Sequence, residues 1–403
     1  MKSIKEIYRM GNGPSSSHTM GPRRAAELFS ERTPGASRYE VTLYGSLAAT
    51  GRGHLTDRAL LDVLAPLAPT EIAWHPEIVL PFHTNGMDFR AFDASGRETL
   101  AWRTYSVGGG ALSDGTSGGG EWQPADIYPL TRMTDIMGWC SRTGKSYWEY
   151  VDEHEESDVW DYLAEVWETM KSAIHNGLEN EGVLPGPLHL RRKASVYYYR
   201  SSGSKPSLQS RGLVFAYALA VSEENAGGGR IVTAPTCGSC GVLPAVLYHL
   251  SVTRDFSERR ILRALATAGL VGDIVKENAS ISGAEVGCQG EVGVACAMAA
   301  AAANQLFGGS TTQIEYAAEM GLEHHLGMTC DPVCGMVQIP CIERNAYAAA
   351  RALDVNLYST FSDGRHRVSF DHVVEVMKQT GHDLPSVYKE TSEGGLAKVK
   401  IDD

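Results

Sequence analysis

The sequence predicts an α+β protein: an N-terminal α/β domain with a small mixed sheet, followed by an all-α domain. Strand-like runs are confined to about the first 110 residues, whereas apolar residues at helical spacing dominate from Asp135 onwards. A Gly/Ser/Thr-rich stretch over 112–120 separates the two patterns and is typical of a mobile loop or linker. We therefore expect two domains, residues 1–130 and residues 131–403.

Composition narrows the function. The 403 residues carry a formal net charge of −12, which argues against nucleic acid and anionic membranes as partners. The most apolar stretch, 292–303, is too short for a membrane span of ~20 residues, and the first residues lack the apolar run of a signal peptide. We expect a cytoplasmic enzyme for a small molecule, whose eight cysteines are reduced and serve metal binding or catalysis.

The first candidate site precedes a predicted helix over 23–29. It consists of Ser15, Ser16, Ser17, His18 and Thr19, flanked by glycines. Hydroxyl and imidazole donors beside a helix N-terminus attract anions, so we predict a carboxylate site here. The alternative is a well-capped helix after a flexible loop, with Ser17 or Thr19 as the cap.

Two histidines follow in the predicted sheet region. Strands are predicted over 39–43 and 97–105, and a β-hairpin over 78–93 with Asn85-Gly86 as its turn. His54 lies in a Gly-flanked loop that opens a helix, and His83 lies in the predicted hairpin. Each is a weaker site candidate, because a single loop histidine usually has no catalytic role.

The rest of the chain is predicted to be nearly all helical. The predicted helices cover 147–151, 158–178, 213–224, 245–251, 258–278, 291–307, 312–326, 345–353 and 368–378. The helix over 291–307 is rich in alanine, which allows close helix packing and predicts a central buried position.

A second anion pocket is predicted just before the helix over 245–251. The candidate substrate contacts there are Thr236, Gly238 and Ser239, in a small-residue turn that leads into a helix. Cys237 and Cys240 also have the spacing of a redox or metal pair. We place that reading second, because no second Cys-x-x-Cys and no thioredoxin-like context accompany it.

The third candidate site is a group of cysteines. Cys330 and Cys341 flank an irregular, proline-containing segment that could wrap an iron–sulfur cluster, and Cys288 stands at the start of a predicted helix. Three thiolates on a four-iron cluster would leave one iron free to act as a Lewis acid. A zinc site and buried core cysteines are the alternatives, and the spacing of Cys330 and Cys334 matches a zinc pair only loosely.

Seven motifs together resemble the iron–sulfur-dependent L-serine dehydratases, or L-serine ammonia-lyases. They are Ser-Ser-Ser-His-Thr-Met-Gly-Pro at 15–22, Tyr-Gly-Ser-Leu-Ala-Ala-Thr-Gly-Arg-Gly-His-Leu-Thr-Asp at 44–57, Pro-Phe-His-Thr-Asn-Gly-Met at 81–87, Val-Thr-Ala-Pro-Thr-Cys-Gly-Ser-Cys-Gly-Val-Leu-Pro at 232–244, Gly-Cys-Gln-Gly-Glu-Val-Gly at 287–293, Thr-Cys-Asp-Pro-Val-x6-Pro-Cys-Ile-Glu-Arg-Asn at 329–345 and Tyr-Lys-Glu-Thr-Ser-Glu-Gly-Gly-Leu-Ala at 388–397. The resemblance implies a 4Fe-4S cluster on Cys288, Cys330 and Cys341, and deamination of L-serine to pyruvate and ammonia. It also implies a cytoplasmic homodimer that serves serine catabolism and gluconeogenesis.

The same resemblance suggests roles for the other candidates. The loops around Ser15–Thr19 and Thr236–Ser239 would hold the substrate carboxylate between the domains. Ser17 and His18 are the candidates for the base that removes the α-proton, and Lys193, His54 and His83 are weaker ones.

Two positions depart from the family pattern. Cys334 stands where the family usually has glycine, so it is either a spare ligand or a bystander. Single-chain relatives often end in a cysteine that reaches the open iron, whereas this chain ends in Asp402-Asp403. A carboxylate could substitute for that sulfur, or the iron stays open.

Three rival functions remain at this point. A pyridoxal-phosphate dehydratase would use Lys193 as its Schiff-base residue. An iron–sulfur L-cysteine desulfidase resembles the helical domain, but the serine-rich first loop favours L-serine as the substrate. An amino-acid sensor with a structural metal would bind serine without turnover.

Overall fold

The computed structural model describes residues 1–115, 125–390 and 393–399. Its strands are β1 Met10–Asn12, β2 Arg38–Tyr44, β3 Thr70–His75, β4 Gly86–Phe92, β5 Glu98–Ser106, β6 Leu112–Ser113 and β7 Arg230–Val232. Its helices are α1 Gly21–Arg32, α2 Gly45–Thr50, α3 Thr56–Leu64, α4 Met133–Thr143, α5 Tyr147–His154, α6 Val159–Glu179, α7 Ala194–Ser202, α8 Pro206–Ala226, α9 Val242–Arg254, α10 Glu258–Asn278, α11 Gly283–Val286, α12 Val294–Leu306, α13 Thr311–Glu323, α14 Cys341–Phe361 and α15 Phe370–Asp383. The predicted α+β class is confirmed.

A five-stranded mixed sheet forms the centre of the N-terminal half. Its strand order is β3-β2-β4-β5-β6, and only the β2–β3 pair is parallel. Val41 and Leu43 alternate with half-buried residues on β2, so one face of the sheet is apolar. Phe29 of α1 and Leu60 of α3 cover that face, and Phe89 of β4 packs in the same core. This core holds α1 in place, and α1 in turn positions the serine-rich loop that precedes it.

The hairpin predicted around Asn85-Gly86 is wrong. The segment before Gly86 is irregular, and the hairpin instead joins β4 to β5. Its turn is closed by Asp93, whose Oδ1 accepts N–H bonds from Ser95 at 2.9 Å and Arg97 at 3.0 Å. Asn85 is fully buried, and its side chain donates to the Ser106 carbonyl at the end of the sheet.

The first residues of the predicted linker over 112–120 form a strand rather than a mobile loop, because Leu112–Ser113 is β6 and pairs with β5. Residues 116–120 lie outside the described part of the chain.

The helical half is organised around α12. Its residues from Val294 to Ala303 are fully buried, and α10, α13, α14 and α9 all pack against it. The prediction of a central, alanine-rich buried helix is therefore confirmed. The helix begins at Val294 rather than at 291, because a π-turn over Gln289–Gly293 precedes it.

The first residues of the chain pack with the helical half. Ile4, Ile7 and Tyr8 are fully buried in its core, and β1 pairs antiparallel with β7. The chain therefore passes from the helical body into the sheet and back again. The domain limits at 130 and 131 stay a prediction. No helix in the described ranges has both the length and the apolar character needed to cross a bilayer.

Candidate active site

Three buried cysteines border one space in the helical half. Cys288 lies just before the π-turn, Cys330 lies in the segment after α13, and Cys341 begins α14. Their exposed fractions are only 3%, 4% and 9%, respectively.

Glu291 lies between two of these thiols. Its Oε2 is 3.8 Å from the Cys288 Sγ and 4.0 Å from the Cys330 Sγ. Burial raises the pKa of the Cys341 thiol, and the charges of Cys288 and Glu291 raise it further. Potential ligand atoms of Cys288, Glu291 and Cys330 lie within 4.8 Å of one another, a group that does not include Cys341. The hydrogen bond from Cys288 is the largest cause that raises the pKa of Cys330.

The C-terminal loop is tied to one of the thiol positions by backbone bonds. The N–H of Cys330 donates to the Tyr388 carbonyl at 2.8 Å, and the N–H of Glu390 donates to the Cys330 carbonyl at 2.7 Å. Glu390 has a φ of +59°, a left-handed conformation that is uncommon for residues other than glycine. Its carboxyl group is buried beside the cysteines, and burial is the largest cause that raises its pKa to about 8.

A pair of buried histidines faces the same carboxyl group from the N-terminal half. The rings of His18 and His54 lie 4.6 Å apart, and one nitrogen of each lies within 4.8 Å of a Glu390 oxygen. Burial lowers the pKa of His18 to about 4, so the ring is neutral at pH 7. Burial also lowers the pKa of His54, and neither of its ring nitrogens has a hydrogen-bond partner among the described residues.

Hydrogen bonds fix the orientation of His18. Its Nδ1 is 2.8 Å from the Ser17 hydroxyl, and its Nε2 is 3.3 Å from both the carbonyl and the hydroxyl oxygen of Ser46. The Thr19 hydroxyl donates to the His54 carbonyl at 2.6 Å, which holds the two histidine loops together.

Glu390 joins the histidine pair to the thiols. Its Oε1 is 3.7 Å from the His18 Nδ1, while the charge of Glu291 adds to the rise of its pKa. Two clusters from opposite halves of the chain therefore form a single buried site.

Comparison with known proteins identifies the family. The model of the serine dehydratase beta chain matches residues 3–72, and that of the alpha chain matches residues 62–397. The chain belongs to the serine dehydratase family. It is 42% identical to the L-serine dehydratase of Streptomyces coelicolor, with 98% of each chain covered. It is 40% identical to L-serine dehydratase 1 of Escherichia coli over all of both chains, and 36% identical to the L-serine dehydratase of Helicobacter pylori over 98% of both.

The structure brings most of the predicted site residues of this serine dehydratase family member together. Ser15, Ser16, Ser17, His18 and Thr19 are buried, the last four within or next to a π-turn that leads into α1. On the other side, the Thr236 and Ser239 hydroxyls lie 3.2 Å apart, and Thr236 also bonds to Glu291.

The turn that contains Gly238 packs closely on Glu291. A Cβ at Gly238 would lie 3.3 Å from the Glu291 Oε1, so the turn leaves little room for a side chain. Two N–H groups that follow are already bonded, that of Cys240 to the Cys237 carbonyl and that of Gly241 to the Asn345 side chain.

The remaining candidates lie further from the centre. His83 is 3.5 Å from Glu285, yet its charge contributes to the low pKa of His18. Lys193 is partly exposed and lies 3.2 Å from Glu343, outside the cluster. Cys334 is exposed in a left-handed turn, and the tail residues Asp402 and Asp403 lie outside the described residues.

Sequence reasoning missed three charged residues of the site. Glu291 and Arg344 each follow a candidate cysteine by three residues, and Glu390 lies in the last family motif. Arg344 donates to the Thr329 carbonyl at 2.7 Å, and Cys288 and Cys341 both raise its pKa. For Glu291 and Arg344 the available signal was proximity to a cysteine in the sequence. Glu390 has no cysteine near it in the sequence, and only the fold shows that it lies at this site.

Proposed function

We propose that the protein is an L-serine ammonia-lyase that converts L-serine to pyruvate and ammonia with a 4Fe-4S cluster held by Cys288, Cys330 and Cys341. The observation that carries the proposal is the buried arrangement of thiols on one side of Glu390 and a neutral histidine pair on the other. The three relatives named above are all L-serine dehydratases, which supports the same activity.

The donor set fits an iron–sulfur cluster. All three sulfur donors are buried, those of Cys288 and Cys330 lie within 4.8 Å of each other, and clusters of this kind are held by cysteine thiolates. The positive charge of Arg344 opposes the burial that raises the pKa of the Cys341 thiol. When bound, the cluster would supply a Lewis acid for the β-hydroxyl group of serine.

The chain's own residues would position the amino acid. The hydroxyl groups of Ser15 and Ser16, next to the start of α1, would bind the substrate carboxylate together with Thr236 and Ser239. Thr19, whose hydroxyl donates to the His54 carbonyl, would hold that loop in place. The two groups come from opposite halves, so a bound substrate would bridge them and be shielded from water.

His18 and Ser17 would handle the proton. Neutral His18 can accept a proton directly or through the Ser17 hydroxyl, 2.8 Å from its Nδ1. In its ionised form Glu390, 3.7 Å from the same nitrogen, would stabilise the charged ring that results, and its raised pKa of about 8 makes this form predominant only above that pH. Loss of the α-proton and the β-hydroxyl group gives aminoacrylate and water, and hydrolysis of the imine tautomer gives pyruvate and ammonia.

Anaerobic purification tests the proposal. We expect iron and acid-labile sulfide in a ratio near one, together with pyruvate formation from L-serine. Zinc in place of iron, or a borohydride-sensitive pyridoxal absorbance, would contradict the cofactor assignment. Faster turnover of L-cysteine than of L-serine would support the desulfidase instead, and serine binding without ammonia release would support a sensor.

The proposal extends to the compartment, the oligomeric state and the metabolic role of the protein. We infer a cytoplasmic homodimer that acts in serine catabolism and supplies pyruvate for gluconeogenesis. Its partner is a small molecule rather than nucleic acid or a membrane, in keeping with the net charge of −12. Sedimentation of the iron-loaded protein would test the dimer.

A further inference from the structure

A basic cleft lies beside the serine-rich loop, and Met20 at the end of that loop is one of its lining residues. We define it by five cationic side chains that line it, namely Lys5, Arg9, Arg23, Arg24 and Arg230, with Glu6 and Glu27 as its acidic residues. Its volume of about 560 Å³ is within the range of about 300–1,000 Å³ that is typical of small-ligand pockets.

The cleft is a junction between the two halves of the chain. Arg23 and Arg24 belong to α1, which packs on the sheet, whereas Arg9 and Arg230 belong to the segments around the β1–β7 ladder. A ligand that bridges these walls would hold α1 against the helical body.

The residues that line the basic cleft carry five positive and two negative charges, in a chain whose net charge is −12. Carboxylates at the rim pair with some of these cations: Asp158 lies 2.5 Å from Lys5, and Glu165 lies 3.3 Å from Arg230. Glu27 lies 3.0 Å from Arg23. The two arginine pairs are about half exposed, and water screens such pairs, so they can re-pair around a ligand. Arg24 has no carboxylate within 4 Å among the described residues.

The floor of the basic cleft contains a buried group of like charges. Arg9 is paired with Glu6 and donates to the Gly109 carbonyl at 3.3 Å. Lys276 lies behind it, and its Nζ has one weak hydrogen bond, at 3.5 Å to the Glu6 carbonyl. Burial, and then the charge of Arg9, lower the pKa of Lys276 to about 8, while Glu6, Asp273 and Glu277 act in the opposite direction.

One wall of the basic cleft is the back of the candidate substrate loop. Met20 lines the cleft directly after Thr19, and its Sδ lies 3.3 Å from the Cys237 Sγ in the turn that precedes α9. A Cβ on Gly11 would lie 2.6 Å from the Met20 Cε, so β1 packs tightly against the same residue. A displacement of this wall would therefore reach both candidate substrate loops.

We propose that the basic cleft is a second ligand site, for a compact anion with two or three negative charges, and that its occupancy holds the loop over residues 15–20 in place. Two or three carboxylates or a diphosphate would satisfy the same cations, because Arg23, Arg24 and Arg230 can each offer paired N–H donors. The site is separate from the cysteines, and it requires no particular activity of the enzyme.

Calorimetric titration of the full chain tests binding, with citrate and pyrophosphate as separate probes at constant ionic strength. We expect saturable binding of at least one probe. The double variant Arg24→Gln/Arg230→Gln should bind it at least tenfold more weakly. Arg365→Gln removes a charge from a side chain that is 91% exposed elsewhere, and it should bind like the unmodified protein.

The two probes distinguish a carboxylate ligand from a phosphate ligand. Absence of saturable binding for both, or equal affinity in the double variant, would overturn the proposal. Because binding is measured without turnover, this result does not depend on whether the protein deaminates serine.

Hydrogen exchange tests the link to the loop. The bound probe should slow amide exchange over residues 14–22 in the unmodified protein and in Arg365→Gln, but not in the double variant. Binding with unchanged exchange there would overturn the proposed hold on the loop.

Discussion

Glu390 is the residue on which the two halves of the site depend. Its side chain is largely buried, and its backbone has a left-handed conformation. Its N–H donates to the Cys330 carbonyl, and its Oε1 is 3.7 Å from the His18 Nδ1. Burial raises its pKa to about 8, so above that pH its carboxylate can compensate a proton taken up by the imidazole, which a neutral side chain of equal size cannot do.

We predict that Glu390→Gln lowers kcat for L-serine by about 100-fold or more above about pH 8, where Glu390 is ionised, the usual size of an acid–base contribution. KM and the iron content should change little, because the amide keeps the shape of the side chain. Pyruvate formation and an iron assay measure the two effects. Lys389→Gln, at the neighbouring position, should retain kcat, and an unchanged kcat in Glu390→Gln would exclude the role.

The five cysteines from 288 to 341 should separate into two groups. We predict that Cys288→Ala, Cys330→Ala and Cys341→Ala each lose iron and turnover, because each removes a buried donor. Cys334→Gly should retain both, since Cys334 is exposed and its φ of +55° suits glycine. The matched controls Cys140→Ala and Cys296→Ala should also retain iron. Full iron in Cys341→Ala would remove that residue from the ligand set.

His249 lies outside the candidate site, and its protonation makes the stability of the fold depend on pH. Its Nε2 bonds to the Ser210 hydroxyl at 2.9 Å, and burial lowers its pKa to about 4. At this residue the unfolded chain therefore binds more protons than the folded chain between pH 4 and 6.5. The contribution of His249 to the free energy of unfolding is fully present above about pH 6.5 and is lost as the pH falls towards 4.

We predict that lowering the pH from 6.5 to 4.5 destabilises the unmodified protein more than His249→Gln, by up to about 3 kcal/mol. Urea unfolding at several pH values measures the difference. His75→Gln, which alters a largely exposed histidine, is the control and should follow the unmodified protein. Parallel pH profiles for His249→Gln and the unmodified protein would contradict the assignment.

At the scale of elements, close helix contacts depend on small residues. Gly177 of α6 packs against α8, where an added Cβ would lie 2.1 Å from the Ala220 carbonyl oxygen. Gly138 of α4 has space, since its nearest contact is the end of the Arg142 side chain at 3.4 Å.

The same substitution should therefore have opposite effects at these two positions. Gly177→Ala should destabilise the fold by about 1–3 kcal/mol, because two backbones must separate. Gly138→Ala should stabilise it by about 0.5–1 kcal/mol, because alanine is the better helix former. Urea unfolding of both variants measures the pair, and a neutral Gly177→Ala would show that the α6–α8 contact can relax.

Sequence periodicity predicted the elements that are long and buried. The helix over 258–278 has the predicted bounds, and α12 was identified by its alanines. The hairpin failed because Asn85-Gly86, a strong turn signal, here serves a buried side-chain contact at the end of the sheet. Helix α7 was missed because its outer face carries exposed apolar residues such as Tyr199, which weaken the periodicity.

At the scale of the whole molecule, the site brings together segments that are far apart in the chain. The motifs indicated the thiols and the serine-rich loop, since each is a compact local pattern. They could not indicate that Glu390 meets His18, because that contact depends on the C-terminal loop pairing with Cys330. Leu396 extends the same attachment by donating its N–H to the Asp331 side chain at 2.8 Å.

Removal of the proposed cluster should therefore loosen specific segments rather than the whole fold. The cysteines lie in turns and segment ends that depend on one another, whereas α12 and the sheet have separate apolar cores. We predict that anaerobic chelation of iron speeds amide exchange over 283–293, 329–341 and 386–390 and leaves α12 protected, because bound metal stabilises the fold that presents its ligands.

Mass-spectrometric hydrogen exchange on the loaded and stripped protein measures this pattern. Cys334→Gly serves as a loaded control whose exchange should match the unmodified protein outside its own turn. Equal exchange before and after stripping would mean that the three thiols are held by the protein fold alone. Faster exchange across α12 as well would mean that the cluster supports the helical core and not only the loops around it.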